Sequence, residues 1–134
     1  LLFPAYTVGA LNGHTFAAGA MLACCLDARV MREDRGYWCL PEADLGLPLT
    51  EAMFAAVTAR LPVAVAAEAM NTARRYTAAE ARAAGIVEHT APEAEVLDRA
   101  VELAAPLAAK DRSVIARHKQ MLFGEAARAC GHAH

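Results

Sequence analysis

Between Asn12 and Pro48 the chain carries two features whose residue types could act on a carbonyl compound. The first is a run of small residues, Ala17-Ala18-Gly19, opening an apolar helix. Side chains this small leave backbone N–H groups bare at a helix N-terminus, where they can meet a developing negative charge. The second is Glu42, a carboxylate set after Pro41 and before Leu45, Leu47 and Pro48. A carboxylate among apolar neighbours is a candidate for carrying a proton. One chemistry would use both, with an enolate held at the first and a proton moved by the second. Each half also has a purely structural alternative. The small triplet is what a close helix–sheet contact needs, and Glu42 could be a loop carboxylate facing water or capping a turn. Asp44 is the rival carboxylate, and in an extended segment it points away from Glu42.

The remaining chemistry-bearing residues are less well placed. The triplet lacks G-x-G-x-x-G spacing, so no dinucleotide site is indicated. His14 follows the Asn12-Gly13 turn with no second ligand at metal spacing, and is read as structural. Thr15 and Ser113 have no partner arrangement for nucleophilic catalysis. Arg74, Arg75 and Lys119 read as solvated charges at helix ends, and His132 and His134 lie at a frayed end. The four cysteines, Cys24, Cys25, Cys39 and Cys130, show no metal spacing and read as buried, reduced thiols of a cytoplasmic protein.

The elements that must hold these residues can be read from pattern. Ala5 to Leu11 is strand-like, and a helix is predicted over 17–28. Short strands are predicted at 30–32 and 37–40, with a loop from Glu42 to Leu49. Thr50 caps a helix reaching Arg60, and Pro62 suits the first position of another that runs to Met70. Thr77-Ala-Ala-Glu80 is a capping box whose helix Gly85 stops. Ile86 to His89 is a short strand. Helices over 92–105 and 111–129 complete the chain, the last with Val114, Ile115, His118, Met121 and Leu122 at helical spacing. Strands alternating with helices predict an α/β fold with a helical C-terminal tail.

At 134 residues and 57% hydrophobic the chain is one domain's worth of sequence with ample core. A net charge of −2 without a basic run gives no support to nucleic-acid binding. The apolar stretch from Thr15 to Leu26 is too short to cross a membrane and is bounded by Asp27 and Arg29. The opening residues have no preceding strand to pair with, so the chain reads as the C-terminal part of a longer protein.

In order along the chain stand Pro4-Ala-Tyr-Thr-Val-Gly-Ala-Leu-Asn-Gly-His14, Ala17-Ala18-Gly19, Asp27, Leu40-Pro41-Glu42 and Leu45-Gly46. Tyr76-Thr-Ala-Ala-Glu-Ala-Arg-Ala-Ala-Gly-Ile-Val87 comes after them. Together these resemble the crotonase (enoyl-CoA hydratase/isomerase) superfamily, whose members carry a P-E-x-x-L-G loop and a later A-x-E-A-x-x-x-G-I-V segment. The resemblance implies a β-β-α spiral, with 1–90 as the C-terminal part of its core and 91–134 as a helical tail for oligomerisation or active-site cover. The N-terminal part of a usual member is then missing, and with it the first oxyanion donor and most of the CoA-adenine pocket.

The resemblance also assigns roles. The second oxyanion N–H falls at Ala18. Of the two glutamates that hydratases use, the later matches Glu42 and the earlier matches Met21, which would instead wall the acyl chain with Leu45, Leu47 and Pro48. One carboxylate suffices for a proton shift between C2 and C4. The implied activity is therefore isomerisation of a 3-enoyl-CoA to a 2-enoyl-CoA in fatty-acid β-oxidation. Other enolate chemistry (hydratase, hydrolase or decarboxylase) and non-catalytic acyl-CoA binding or assembly are the alternatives. No metal or cofactor is implied beyond the CoA of the acyl-CoA substrate. Trimers or hexamers of the chain are implied, and these residues alone are expected to be inactive.

Overall fold

The computed structural model describes residues 1–131; His132 and His134 lie outside the described residues. The chain runs β1 (Val8–Leu11), β2 (Thr15–Phe16), α1 (Ala18–Cys24), β3 (Ala28–Arg32), β4 (Trp38–Cys39), α2 (Glu42–Leu45), α3 (Glu51–Thr58), α4 (Val63–Thr72), α5 (Ala78–Ala83), β5 (His89–Ala91), α6 (Val96–Ala104) and α7 (Arg112–Ala129). The strands form two parallel sheets, ordered β1-β3-β5 and β2-β4. Val8 stands opposite Ala28, and Met31 pairs with Leu11 on one side and Thr90 on the other. Parallel neighbours need crossovers, which the helices supply. The fold is α/β, as the alternating pattern predicts.

Successive residues of a strand face opposite sides, so β3 serves two cores. Met31 joins the larger cluster with Met21, Cys24, Trp38, Leu40, Val57, Tyr76 and Ile86. Val30 faces the other way, packing with Ala91 and with Val96 and Ala100 of α6. Helix α7 lies against α3.

Predicted caps are present. Thr50 accepts the Met53 N–H at 3.3 Å, the Thr77–Glu80 capping box is complete, and Gly85 follows α5 at φ 79. Several boundaries differ from expectation for identifiable reasons. Helix α1 ends at Cys24 because the residues beyond it are taken: the Arg29 guanidinium donates to the carbonyls of Ala23 and Leu26, each at 3.1 Å. The Asp27 N–H donates to Thr7 O at 3.0 Å. Ala28 therefore opens β3. Ile86 and Val87 do not form a strand, since both N–H groups close α5 by donating to Ala81 O. The strand begins at His89. Pro62 is the N-cap of α4 rather than its first residue. The segment predicted as one helix over 92–105 is α6 flanked by 3-10 turns at Glu93–Glu95 and Ala105–Leu107.

Helix α7 is rotated from its predicted face. Val114, Met121 and Leu122 are exposed, while Lys119, Gly124 and Ala127 are buried. Lys119 is thus not a solvated charge. Its Nζ donates to Asp27 at 2.5 Å and to Ala5 O at 2.8 Å, and Arg60 reaches the other Asp27 oxygen at 2.6 Å. Of the free cysteines, Cys24 and Cys39 are buried and Cys25 half-buried, but Cys130 is exposed. No described helix is long and apolar enough to cross a membrane.

Candidate functional site

The pairing of β2 with β4 joins the two segments that lead into the halves of the candidate site. Phe16 registers with Cys39, and the Ala17 N–H donates to Cys39 O at 3.0 Å. The chain then diverges on both sides: α1 starts at Ala18, and Pro41 leads into α2 at Glu42. Ala17 turns this corner at φ 49 and ψ −120, a conformation that side-chain-bearing residues rarely take. Its carbonyl accepts the Met21 N–H at 3.0 Å, so both backbone groups of Ala17 are in use.

The first turn of a helix leaves N–H donors without intrahelical partners. In α1 no side chain caps them and the turn holds no acidic residue. Ala18 and Gly19 are at least partly open to solvent, and a methyl group built on Gly19 would meet nothing within 4 Å. These donors are open to an external acceptor, and the aligned peptide dipoles favour an anion there.

Glu42 is not in a loop, as expected from sequence, but at the first position of α2, a single turn ended by Gly46 in the left-handed region at φ 67. Its Oε2 is buried and has no hydrogen-bond partner. A polar atom removed from water without a partner is costly, and in a cavity wall it is placed to meet a ligand. Glu42 lines a cavity of about 770 Å³ between α2, α3 and α4, and is the one carboxylate among its described lining residues. The rest of the wall is largely apolar, with Leu47, Phe54, Val63 and Met70 prominent and Thr58 and Asn71 the neutral polar members. The Thr58 hydroxyl donates to Phe54 O at 2.8 Å.

The structure gathers part of the residue set read from sequence. Glu42, Leu47 and Pro48 share the cavity. Leu45 is 61% exposed, Met21 is 7% exposed within the main core and Ala18 is exposed at the start of α1, and none of the three lines it. Met21 sits on α1, with Ala18, and supports the helix from below. Phe54, Thr58 and the α4 stripe are additions to that set, although Val63, Ala66, Ala67 and Met70 stand at the spacing of one helix face and carry a readable signal. His14 holds the preceding turn, its Nδ1 accepting the Tyr37 N–H at 3.3 Å.

A family model described as enoyl-CoA hydratase/isomerase matches residues 2–130. The chain is 35% identical to enoyl-CoA delta isomerase 3 of Arabidopsis thaliana over 130 residues, covering 93% of this chain and 55% of that protein. It is 32% identical over 114 residues to carnitinyl-CoA dehydratase of Proteus mirabilis, covering 85% of this chain and 43% of that protein. The crystal structure of a probable enoyl-CoA hydratase, EchA3, from Mycobacterium tuberculosis superposes with a TM-score of 0.87 at 27% identity, over 96% of this chain and 54% of that one. The chain therefore spans about half the length of the curated relatives it matches.

Proposed function

The chain belongs to the enoyl-CoA hydratase/isomerase family, and on that footing we propose that it carries the proton-transfer half of an acyl-CoA isomerase site. Glu42 removes a proton from C2 of a 3-enoyl-CoA thioester. The electrons move to the thioester oxygen, and the resulting enolate is held by the Ala18 N–H. Glu42, now protonated, returns the proton at C4, the double bond settles between C2 and C3, and the carboxylate is restored. The acyl chain lies along Leu47, Pro48 and the α4 stripe. Fatty-acid β-oxidation, where unsaturated chains need this shift, is the setting, and four free thiols fit a reducing compartment such as the cytoplasm. Self-association into trimers or hexamers belongs to the same reading, with exposed Leu97, Val101 and Met121 as apolar surface for it.

The observation that carries this reading is the buried, unpartnered Oε2 of Glu42 on a cavity with no second carboxylate among the described residues. Adding water across a double bond calls for a water held between two acids, whereas a proton shift needs one. In the complete polypeptide that carries this chain, isomerisation of a 3-enoyl-CoA is expected to outrun hydration of a 2-enoyl-CoA. Faster hydration would contradict the single-carboxylate mechanism.

A further inference from the structure

A second cavity, of about 590 Å³, lies on the other flank of α3, between that helix and α7. It shares Leu49, Phe54 and Thr58 with the Glu42 cavity. Phe54 and Thr58 are one turn apart on α3 and so stand on the same face, forming a ridge between the two spaces. The Thr58 hydroxyl already donates to the Phe54 carbonyl, so this ridge offers no free donor from Thr58. Phe54 is the large side chain of the divider, and it is 53% exposed rather than locked in the core. Beyond the ridge, the second cavity ends against Leu122, Glu125, Ala126 and Ala129 of α7.

We propose that Phe54 is a specificity-determining residue that sets the acyl-chain length the site accepts, by closing the Glu42 cavity off from the space under α7. The inference rests on the acyl-CoA reading above. A short tail ends within the first cavity. A long tail must displace the Phe54 ring to continue into the second, where Leu122 forms the far wall. The occupant is fixed by chemistry. The first space is largely apolar and runs on from Glu42, and the second continues it along Leu49, Phe54, Ala55 and Leu122, with Glu51 and Glu125 also in its lining, so the part of a substrate beyond its reacting carbons is a hydrocarbon chain.

The test uses the complete polypeptide with hexenoyl, decenoyl and hexadecenoyl thioesters, measuring kcat/KM for each. Phe54→Ala is expected to raise the hexadecenoyl-to-hexenoyl ratio by about tenfold, the worth of roughly two newly buried methylenes. Adding Leu122→Trp to that variant is expected to bring the ratio back down. An unchanged ratio, or an equal loss at every chain length, would overturn the proposal, because a merely structural role predicts just that. Dissociation constants for the matching saturated acyl-CoAs report the same ratio without turnover. They decide the divider separately if the wild-type protein isomerises nothing, an outcome that would instead sink the isomerase reading.

Discussion

The backbone N–H of Ala17 donates to the carbonyl of Cys39 at 3.0 Å, and through this bond the opening of α1 is held beside the segment that presents Glu42. Ala18 follows on one side and Pro41-Glu42 on the other. The proposed oxyanion donor and the proposed proton carrier are thus tied by a strand pair two residues long, and neither depends on a long loop for its position.

The corner at Ala17 is strained, with φ at 49 and ψ at −120. Glycine takes such angles freely, and a β-branched residue does not. Ala17→Gly is expected to leave stability unchanged or raise it by up to about 1 kcal/mol, and Ala17→Val to lower it by about 2 kcal/mol. Urea unfolding of the three proteins checks the order; a stability rank with glycine last would contradict the strain.

Asp27 joins three parts of the chain, taking bonds from Thr7, Arg60 and Lys119. Burial pushes its carboxyl up, but the hydrogen bonds from Lys119, Thr7 and Arg60 together hold it below the ordinary carboxylate value of 3.8. A depressed folded-state value means stability that is present above pH 3.8 and lost as pH falls through the lower folded value. Asp27→Asn is expected to cost about 3 kcal/mol at neutral pH, since Lys119 and Arg60 stay buried without their counter-charge. The gap between variant and wild type should close as the pH drops below 3.8. A gap that stays constant with pH would show that charge is not what the contact contributes.

Arg29 ends α1 from below, bonding the Ala23 and Leu26 carbonyls and pairing with Glu88 at 2.5 Å. Arg29→Met keeps the apolar stem and removes every donor, leaving those carbonyls without their side-chain partner. A loss of about 2–4 kcal/mol by chemical denaturation is expected. Arg29→Lys should recover less than half of it, because one ammonium cannot reproduce the planar fork.

The Tyr76 phenol is pushed up to about 12, first by burial and then by its hydrogen bond to Glu68, a contact of 2.6 Å. Its ultraviolet titration is expected to fall near pH 12 in the folded protein. Its contribution to stability is complete below pH 10 and fades as the pH climbs through the folded value. Replacing Glu68 with Gln should bring the titration down. A Tyr76 that ionises at its ordinary value would remove the burial argument.

Local chemistry and long periodicity were legible in the sequence. Thr50 and Thr77 each announce a helix start because a hydroxyl there has one good use, and both caps form. The order Ala18, then Asp27, then Glu42 was legible as a family resemblance. The features that could not be read were decided by distant partners. Nothing near Cys24 says that α1 must stop; Arg29 and Thr7 do that from outside the helix. Lys119 reads as a surface cation until Asp27, far along the chain, buries it, and this pairing turns α7 so that Met121 and Leu122 face outward. Met21 reads as acyl-chain wall because its position matches a catalytic one, and its place in the core cluster, decided by the elements packed around α1, could not be read from the sequence. The cavity wall of α3 and α4 is visible as a stripe, yet an Ala-rich face looks like any core face and does not announce a cavity.

In the proposed reaction one carboxylate carries the proton both ways. The most direct measurement is isomerisation of a 3-enoyl-CoA by the complete polypeptide with Glu42→Gln, alongside acyl-CoA binding by the same variant. Binding is expected to survive while kcat falls by about a thousandfold or more, the scale of a lost general base. Turnover within about tenfold of wild type, with binding intact, would contradict that reaction and assign the proton to another group.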